Sequence, residues 1–322
     1  ANAKMRGDGE VKNARGGSYF LDNPSNFGPF QGGEAGGEVV TFTPFGGRKL
    51  VNEMGAHMTD ALQAPFQDVC AELELKGTIL LSTEGINFFL AGSQTQIDGF
   101  VQHLEQDDRF VGITLKVSYS DYQPFRRMNV RLKKEIISLG LDHIKPAEFT
   151  GEEITPTEFK EWLDAGKEVL VLDTRNDYEC RVGTFETAME LDIKSFRDFP
   201  RAVSEMPEDL KDKPVVMFCT GGIRCEKASV VMLDAGFTNV KQLKGGILGY
   251  FEEVGGAHWN GDCFVFDHRV ALNPALEETE VTQCYACRAP LSVEDQRSAN
   301  YQFGISCPHC IDRQRQKEVV TP

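Results

Sequence analysis

One thiol in this chain stands where a reactive thiol would have to stand. Cys219 opens the segment Cys219-Thr220-Gly221-Gly222-Ile223-Arg224, directly after the apolar run Pro214-Val-Val-Met-Phe. Ala228, Val231, Met232 and Ala235 follow at helical spacing. The pattern predicts strand, tight loop, helix, with the sulfur at the carboxyl end of the strand. Open α/β sheets bind ligands there, and a helix N-terminus supplies unpaired backbone N–H groups and a positive field. Gly221 and Gly222 leave the loop free of side chains, so successive N–H groups can turn inward on the sulfur. Arg224 adds a permanent cation, and these features together favour the thiolate.

The loop is Cys-x4-Arg, one residue shorter than the Cys-x5-Arg cradle with which tyrosine phosphatases hold a tetrahedral phosphate, so a persulfide sulfur fits it better. An inert buried cysteine would need neither paired glycines nor an arginine beside it. Cys225 lies in the first turn of the expected helix, and two readings stay open for it: a resolving thiol that forms a disulfide with Cys219, or packing against the sheet. Cys70, Cys180 and Cys263 fit ordinary packing. Asp173 and Arg175 end another expected strand at the same sheet edge, where an ion pair would brace the loop and support it without being catalytic.

Two further clusters could do chemistry. Cys284-Tyr-Ala-Cys287 and Cys307-Pro-His-Cys310 have the paired spacing that closes a tetrahedral four-thiolate zinc site, with free thiols or a disulfide as the alternative. A closed site of that kind is structural. Arg126-Arg127-Met-Asn-Val-Arg131-Leu-Lys133-Lys134 is a dense basic run, and either an RNA-binding strip or a solvated connector accounts for it. None of the six histidines joins a two-His, one-carboxylate iron set, and no flavin site is identifiable.

The elements that must position these residues fall into successive units. Residues 1–37 are rich in Gly and Asn without apolar periodicity and read as a disordered leader. Residues 38–121 run strand, helix, strand, strand, helix, strand, which is the ferredoxin-like α+β order. Residues 122–154 are a connector carrying the basic strip. Residues 155–255 alternate helix and strand, predicting a parallel sheet covered on both faces, with strands at 169–173, 215–219 and 240–243. Thr155 and Pro156 should start one helix and Gly236 should end another. A small Cys-rich extension occupies residues 256–322, so the fold class is α/β overall.

Composition narrows the function. With 34 basic against 49 acidic side chains the formal charge is -15, so a polyanion is repelled unless basic residues cluster. Nine cysteines in 322 residues are too few for a disulfide scaffold, and a reducing, cytoplasmic compartment fits best. No run approaches the ~18 apolar residues a membrane span needs. Whether a targeting segment once preceded Ala1 stays open, as does the oligomeric state.

The segment from Cys219 to Ser229, Cys-Thr-Gly-Gly-Ile-Arg-Cys-Glu-Lys-Ala-Ser, resembles the active loop of the bacterial rhodanese-type tRNA uridine(34) hydroxylases. Leu81-Ser-Thr-Glu-Gly-Ile-Asn87, Val130-Arg-Leu-Lys-Lys-Glu-Ile136, Asp173-Thr-Arg-Asn-Asp-Tyr-Glu179, Leu243-Lys-Gly-Gly-Ile247 and the segment from Gly261 to Val270 are similar to further family segments, in family order. Gly183-Thr-Phe-Glu-Thr-Ala188 and Gly77-Thr-Ile79 depart from the family's usual residues, as do the leader and an insertion from Gly46 to Met58. The resemblance implies an acylphosphatase-like N-terminal domain, a rhodanese domain and a Cys-rich extension. It also implies oxygen-dependent formation of 5-hydroxyuridine at the tRNA wobble position, with Cys219 as the persulfide-forming cysteine, dioxygen as co-substrate and the anticodon arm as partner. A sulfurtransferase moving sulfane sulfur to a thiophilic acceptor is the alternative on the same loop.

Overall fold

The computed structural model describes residues 37–42, 56–110, 115–146 and 148–312. The expected leader and most of the Gly46 to Met58 insertion lie outside the described residues.

The first unit runs β1 (Gly37–Phe42), α1 (Ala56–Glu72), β2 (Lys76–Ser82), β3 (Gly85–Gly92), α2 (Gln94–Glu105), β4 (Leu115–Ser120) and β5 (Met128–Leu132). The sheet order is β4-β1-β3-β2-β5. The first four strands have the ferredoxin-like arrangement expected from the element order, and β5 adds a parallel edge strand beside β2. The middle of the basic strip, read from sequence as connector, is therefore part of this sheet. Its strand signal is weak because only Val130 of β5 is buried, while Arg131 and Leu132 face solvent. Phe66 and Cys70 of α1 meet Ile97, Phe100 and Leu104 of α2 over Ile79, Leu81, Phe88 and Leu90 of the sheet. Ser93 caps α2 in a reciprocal capping box with Gln96.

The second unit contains β6 (Glu152–Ile154), α3 (Pro156–Asp164), β7 (Leu170–Asp173), α4 (Asp177–Cys180), β8 (Gly183–Phe185), β9 (Ala188–Glu190), α5 (Phe199–Ser204), β10 (Val215–Phe218), α6 (Ile223–Asp234), β11 (Val240–Leu243) and α7 (Gly246–Val254). Strands β6-β11-β10-β7-β9 form one sheet, parallel at every pairing. Thr155 caps α3 through its side chain with Pro156 in the first turn, and Gly236 follows α6 at φ 93°.

Alternation along β10 decides which helix goes where. Val215 and Met217 pack with α5 and α6 on one face, and Val216 and Phe218 pack with α3 and α7 on the other. Phe185 is the hub of the second face, with ring centroids 4.9 Å from Phe218, 4.9 Å from Tyr250, 5.0 Å from Trp259 and 5.2 Å from Phe159, all edge-on. Edge-on aromatic pairs of this kind add about 1 kcal/mol each beyond their area burial. The strand that carries the loop is thus pinned from both sides.

The chain then continues through β12 (Trp259–Gly261), β13 (Cys263–Phe264) and β14 (Ala271–Leu272) to β15 (Thr282–Gln283), β16 (Pro290–Leu291) and α8 (Val293–Arg297). β12 pairs antiparallel with β8 in a separate two-stranded sheet, which ties this extension to the second unit. Among the described residues, no helix is long and apolar enough to cross a membrane.

Candidate active site and thiolate cluster

Cys219 follows β10 directly, and its side chain is fully buried. Gly222 adopts φ 95°, a left-handed conformation that glycine enters without steric cost. The turn aims its own N–H at the Cys219 sulfur, 3.1 Å away. Burial pushes this thiol up, but a hydrogen bond from Cys225, the charge of Arg224 and the N–H groups of Arg224 and Cys225 outweigh it and bring Cys219 down to about 6. At neutral pH the sulfur is ionised.

A second helix holds the loop from beneath. Ile247 N–H donates to the Cys219 carbonyl at 3.0 Å and Leu248 N–H to the Thr220 carbonyl at 3.1 Å, so the first turn of α7 spends its unpaired donors on the loop backbone. The fit requires glycine. A Cβ on Gly246 would lie 2.4 Å from the Cys219 carbonyl oxygen and 2.6 Å from the Gly222 nitrogen. The segment Leu243-Lys-Gly-Gly-Ile247, one of those that carry the family resemblance, thus underlies Cys219.

Arg224 is clamped. Its Nη1 and Nη2 donate to Glu179 Oε1 and Oε2 at 2.6 and 2.7 Å, and both side chains are buried. Its Nη2 also reaches the Thr220 hydroxyl at 3.5 Å. The guanidinium helps to lower the pKa of Cys219, and the permanent cation expected from the sequence is compensated by a fixed carboxylate. Thr220 is buried, while Gly221 and Ile223 are half-buried at the lip of the loop.

Asp173 and Arg175 form a sealed pair. Arg175 donates through its backbone N–H and Nε to Asp173 Oδ1 at 3.0 and 2.9 Å and through Nη2 to Oδ2 at 2.6 Å. Thr184 and the Gly183 carbonyl complete the arrangement, and the Arg175 guanidinium stacks over Phe218 and Trp259. Asp267 and Arg269 repeat this Asp-x-Arg corner, and Arg269 extends to the Ser118 hydroxyl of β4 at 2.9 Å. Asp107 and Arg109 make a third.

Cys225 is fully buried, with Thr174 Oγ1 at 3.7 Å from its sulfur. Burial and the neighbouring Cys219 thiolate keep its thiol far above the ordinary range, so the two cysteines differ in protonation.

Sequence reasoning also missed Lys227. This lysine of α6 is buried between two carboxylates of the first unit and its linker, Glu84 at 2.6 Å and Glu135 at 2.8 Å, and it donates to the Ile137 carbonyl at 3.0 Å. Each of the three lies in a different segment quoted for the family resemblance. Beside it, burial and the charges of Cys219, Glu153 and Glu84 push the Glu226 carboxyl up to about 8.

In the basic strip, Arg127, Arg131 and Lys134 are exposed and Arg126 and Lys133 half-buried. Burial together with the charges of Arg197 and Arg131 holds Lys133 below the ordinary lysine range, so cations of the first and second units lie close together here. Lys134 is bound to Asp142 at 2.8 Å.

Cys284, Cys287, Cys307 and Cys310 converge, with sulfurs within 4.8 Å of one another. Cys287 and Cys307 are 3.6 Å apart and Cys307 and Cys310 3.7 Å, far beyond the ~2.05 Å of a disulfide. The four can hold a metal ion. His309 is exposed beside them, with its Nε2 3.2 Å from Asp295.

Residues 54–136 match the family model of the UPF0176 acylphosphatase-like domain, and residues 155–253 match that of the rhodanese-like domain. Over 257 residues, 78% of this chain and 91% of the relative, the chain is 52% identical to a tRNA uridine(34) hydroxylase of Cupriavidus necator. The chain belongs to the tRNA uridine(34) hydroxylase family. A Ralstonia nicotianae member is 52% identical over 76% of this chain and 89% of its own length. One from Burkholderia cenocepacia is 51% identical over 75% and 88%. The first unit is thus the acylphosphatase-like domain of this family and the second its rhodanese domain, with a Cys-rich region at the C-terminal end.

Proposed function

We propose that this chain hydroxylates C5 of the wobble uridine of tRNA with dioxygen, giving 5-hydroxyuridine, and that Cys219 acts covalently in the reaction. The observation that carries this reading is a buried sulfur that accepts the Gly222 N–H at 3.1 Å at the start of α6, in a chain half-identical to proteins named for that modification. A thiolate adds to C6 of a uracil ring and makes C5 electron-rich, which is the polarity that an attack by oxygen at C5 needs. Arg224 keeps the sulfur ionised, Glu179 fixes Arg224, and the Asp173–Arg175 pair braces the strand end behind them.

The basic residues of β5 and its flanks, Arg126, Arg127, Arg131, Lys133 and Lys134, with Arg197 beside Lys133, are assigned to the phosphates of the anticodon arm. Zinc is assigned to the four C-terminal cysteines, because four thiolates at ~2.3 Å from a tetrahedral zinc stand ~3.8 Å apart, close to the spacing present. Such a site completes the fold and leaves no coordination position open. A tRNA-modifying enzyme with this many reduced cysteines belongs in the cytoplasm.

The test is the purified chain with unmodified tRNA in air, with nucleosides read by mass spectrometry. 5-Hydroxyuridine should appear with the native chain and be absent with Cys219→Ala. Equal product from that variant would overturn the covalent role, and thiosulfate turnover without RNA, in place of the nucleoside, would favour the sulfurtransferase alternative.

A further inference from the structure

A hydroxylation that places one atom of dioxygen on carbon leaves the other to be reduced to water, which takes two electrons. A dithiol supplies two electrons when it becomes a disulfide. We infer that Cys225 is the second half of such a dithiol, so that Cys219 and Cys225 together reduce the second oxygen atom and finish each turnover as a disulfide. This inference rests on the proposed hydroxylation and deepens it.

The placement of Cys225 supports that role. The Gly222 N–H points at the Cys219 sulfur at 3.1 Å and the Gly222 carbonyl accepts from the Cys225 N–H at 3.0 Å, so one residue bridges the two cysteines, which pack in the same core cluster. The hydroxyl proton of Thr174 is spent on the Phe218 carbonyl at 2.9 Å, which leaves Thr174 Oγ1 as an acceptor 3.7 Å behind the Cys225 sulfur. Both cysteines are fully buried, so the pair forms one enclosed unit of the core. Cys225 stays a neutral thiol while Cys219 is a thiolate, so it does not compete for the first oxidation; once Cys219 is a sulfenic acid, the thiolate charge that helped hold the Cys225 proton is gone. Cys70 and Cys263 belong to other core clusters, and Cys225 shares that of Cys219.

The atoms balance as follows. With Cys219 bonded to C6, the electron-rich C5 takes up dioxygen as a peroxide that gains a proton; loss of the C5 proton then breaks the C6–S bond, giving a C5 hydroperoxide and releasing the Cys219 thiolate. The Cys219 thiolate takes the outer oxygen, the O–O bond breaks, and the C5 oxygen picks up a proton to become the product hydroxyl. Cys219 is then a sulfenic acid. The Cys225 sulfur attacks the Cys219 sulfur, the S–O bond breaks, and the thiol proton leaves with the hydroxide as water. Each sulfur has given one electron. An external low-molecular-weight thiol then reduces the disulfide for the next round.

The experiment uses the reduced full-length chain, freed of small thiols, with unmodified tRNA in air. With added dithiothreitol the native chain should turn over repeatedly, which checks the hydroxylation itself. Without it, product should stop at about one nucleoside per chain, with two protein thiols lost per nucleoside and a Cys219–Cys225 linked peptide in the digest. Cys225→Ala and Cys225→Ser, each checked for native melting, should form product once and accumulate a Cys219 sulfenic acid that dimedone traps. Product without thiol loss in the native chain, or thiol-free repeated turnover by either variant, overturns the inference while leaving the hydroxylation standing. Absence of product even with dithiothreitol overturns both.

Discussion

Glu179 holds both terminal nitrogens of Arg224, at 2.6 and 2.7 Å, beside the Cys219 loop. A guanidinium this deeply buried is tolerable only because its charge is matched. The clamp therefore serves stability and chemistry together, and the two can be separated.

Glu179→Gln keeps the shape and removes the charge. An uncompensated buried cation should cost about 3 kcal/mol of stability, seen as a lower midpoint in chemical denaturation. In the fraction that stays folded, Arg224 is then no longer neutralised, so the Cys219 thiol should titrate at lower pH than in the native chain. A variant as stable as the native chain would remove the clamp from the account.

The alkylation rate of Cys219 should rise with pH through about 6 and level off by neutrality, because burial is outweighed by Cys225, Arg224 and the loop amides. Cys70, pushed up to about 12 by burial alone, should stay unreactive over that range. The linked stability has a definite sign. A thiol depressed in the folded state below its unfolded value of ~8.5 contributes fully above that value and loses the contribution as pH falls through about 6. Cys219→Ser should abolish this pH dependence, as measured by denaturation at pH 5 and pH 9.

Lys227→Met should uncouple α6 from the first domain. It leaves Glu84 and Glu135 facing each other without a cation, at a cost of about 3 kcal/mol. Hydrogen exchange should quicken in the β2–β3 turn and in the first turn of α6, while the ionisation of Cys219, set by Cys225, Arg224 and the loop N–H groups, should shift little. Unchanged exchange at both places would contradict the bridge.

Metal analysis should find one zinc per chain, and chelation or Cys287→Ala should lower the melting temperature. Because four thiolates fill the coordination sphere, the alkylation rate of Cys219 should not change on metal removal. A change there would mean that the cluster communicates with the loop.

Much of this was visible in the residues themselves. The β10–loop–α6 unit shows in the apolar run, the two glycines and the helical spacing that follows, because each is a local signal. The paired Cys-x2-Cys spacing likewise shows four sulfurs that can meet. What stayed hidden is long-range. Glu179 reaches Arg224 across 45 positions, and Lys227 reaches Glu84 and Glu135 across two unit boundaries, so no local window contains them. β5 was missed for a different reason: an edge strand with one buried residue and charged neighbours lacks the alternation that reveals a strand. The segments that resembled the family mark these places. Glu84, Glu135, Glu179, Gly246, Lys227 and Arg269 each fall in one of them, and each has a contact that explains its presence.

The sealed corners at Asp173–Arg175, Glu179–Arg224 and Asp267–Arg269 are closed to mobile ions, and electrolyte weakens only those attractions it can surround. Raising ionic strength should therefore loosen the grip of exposed arginines on a polyanion while leaving the scaffold standing. For a protein with a formal charge of -15, a salt titration can thus report RNA release without the confusion of unfolding.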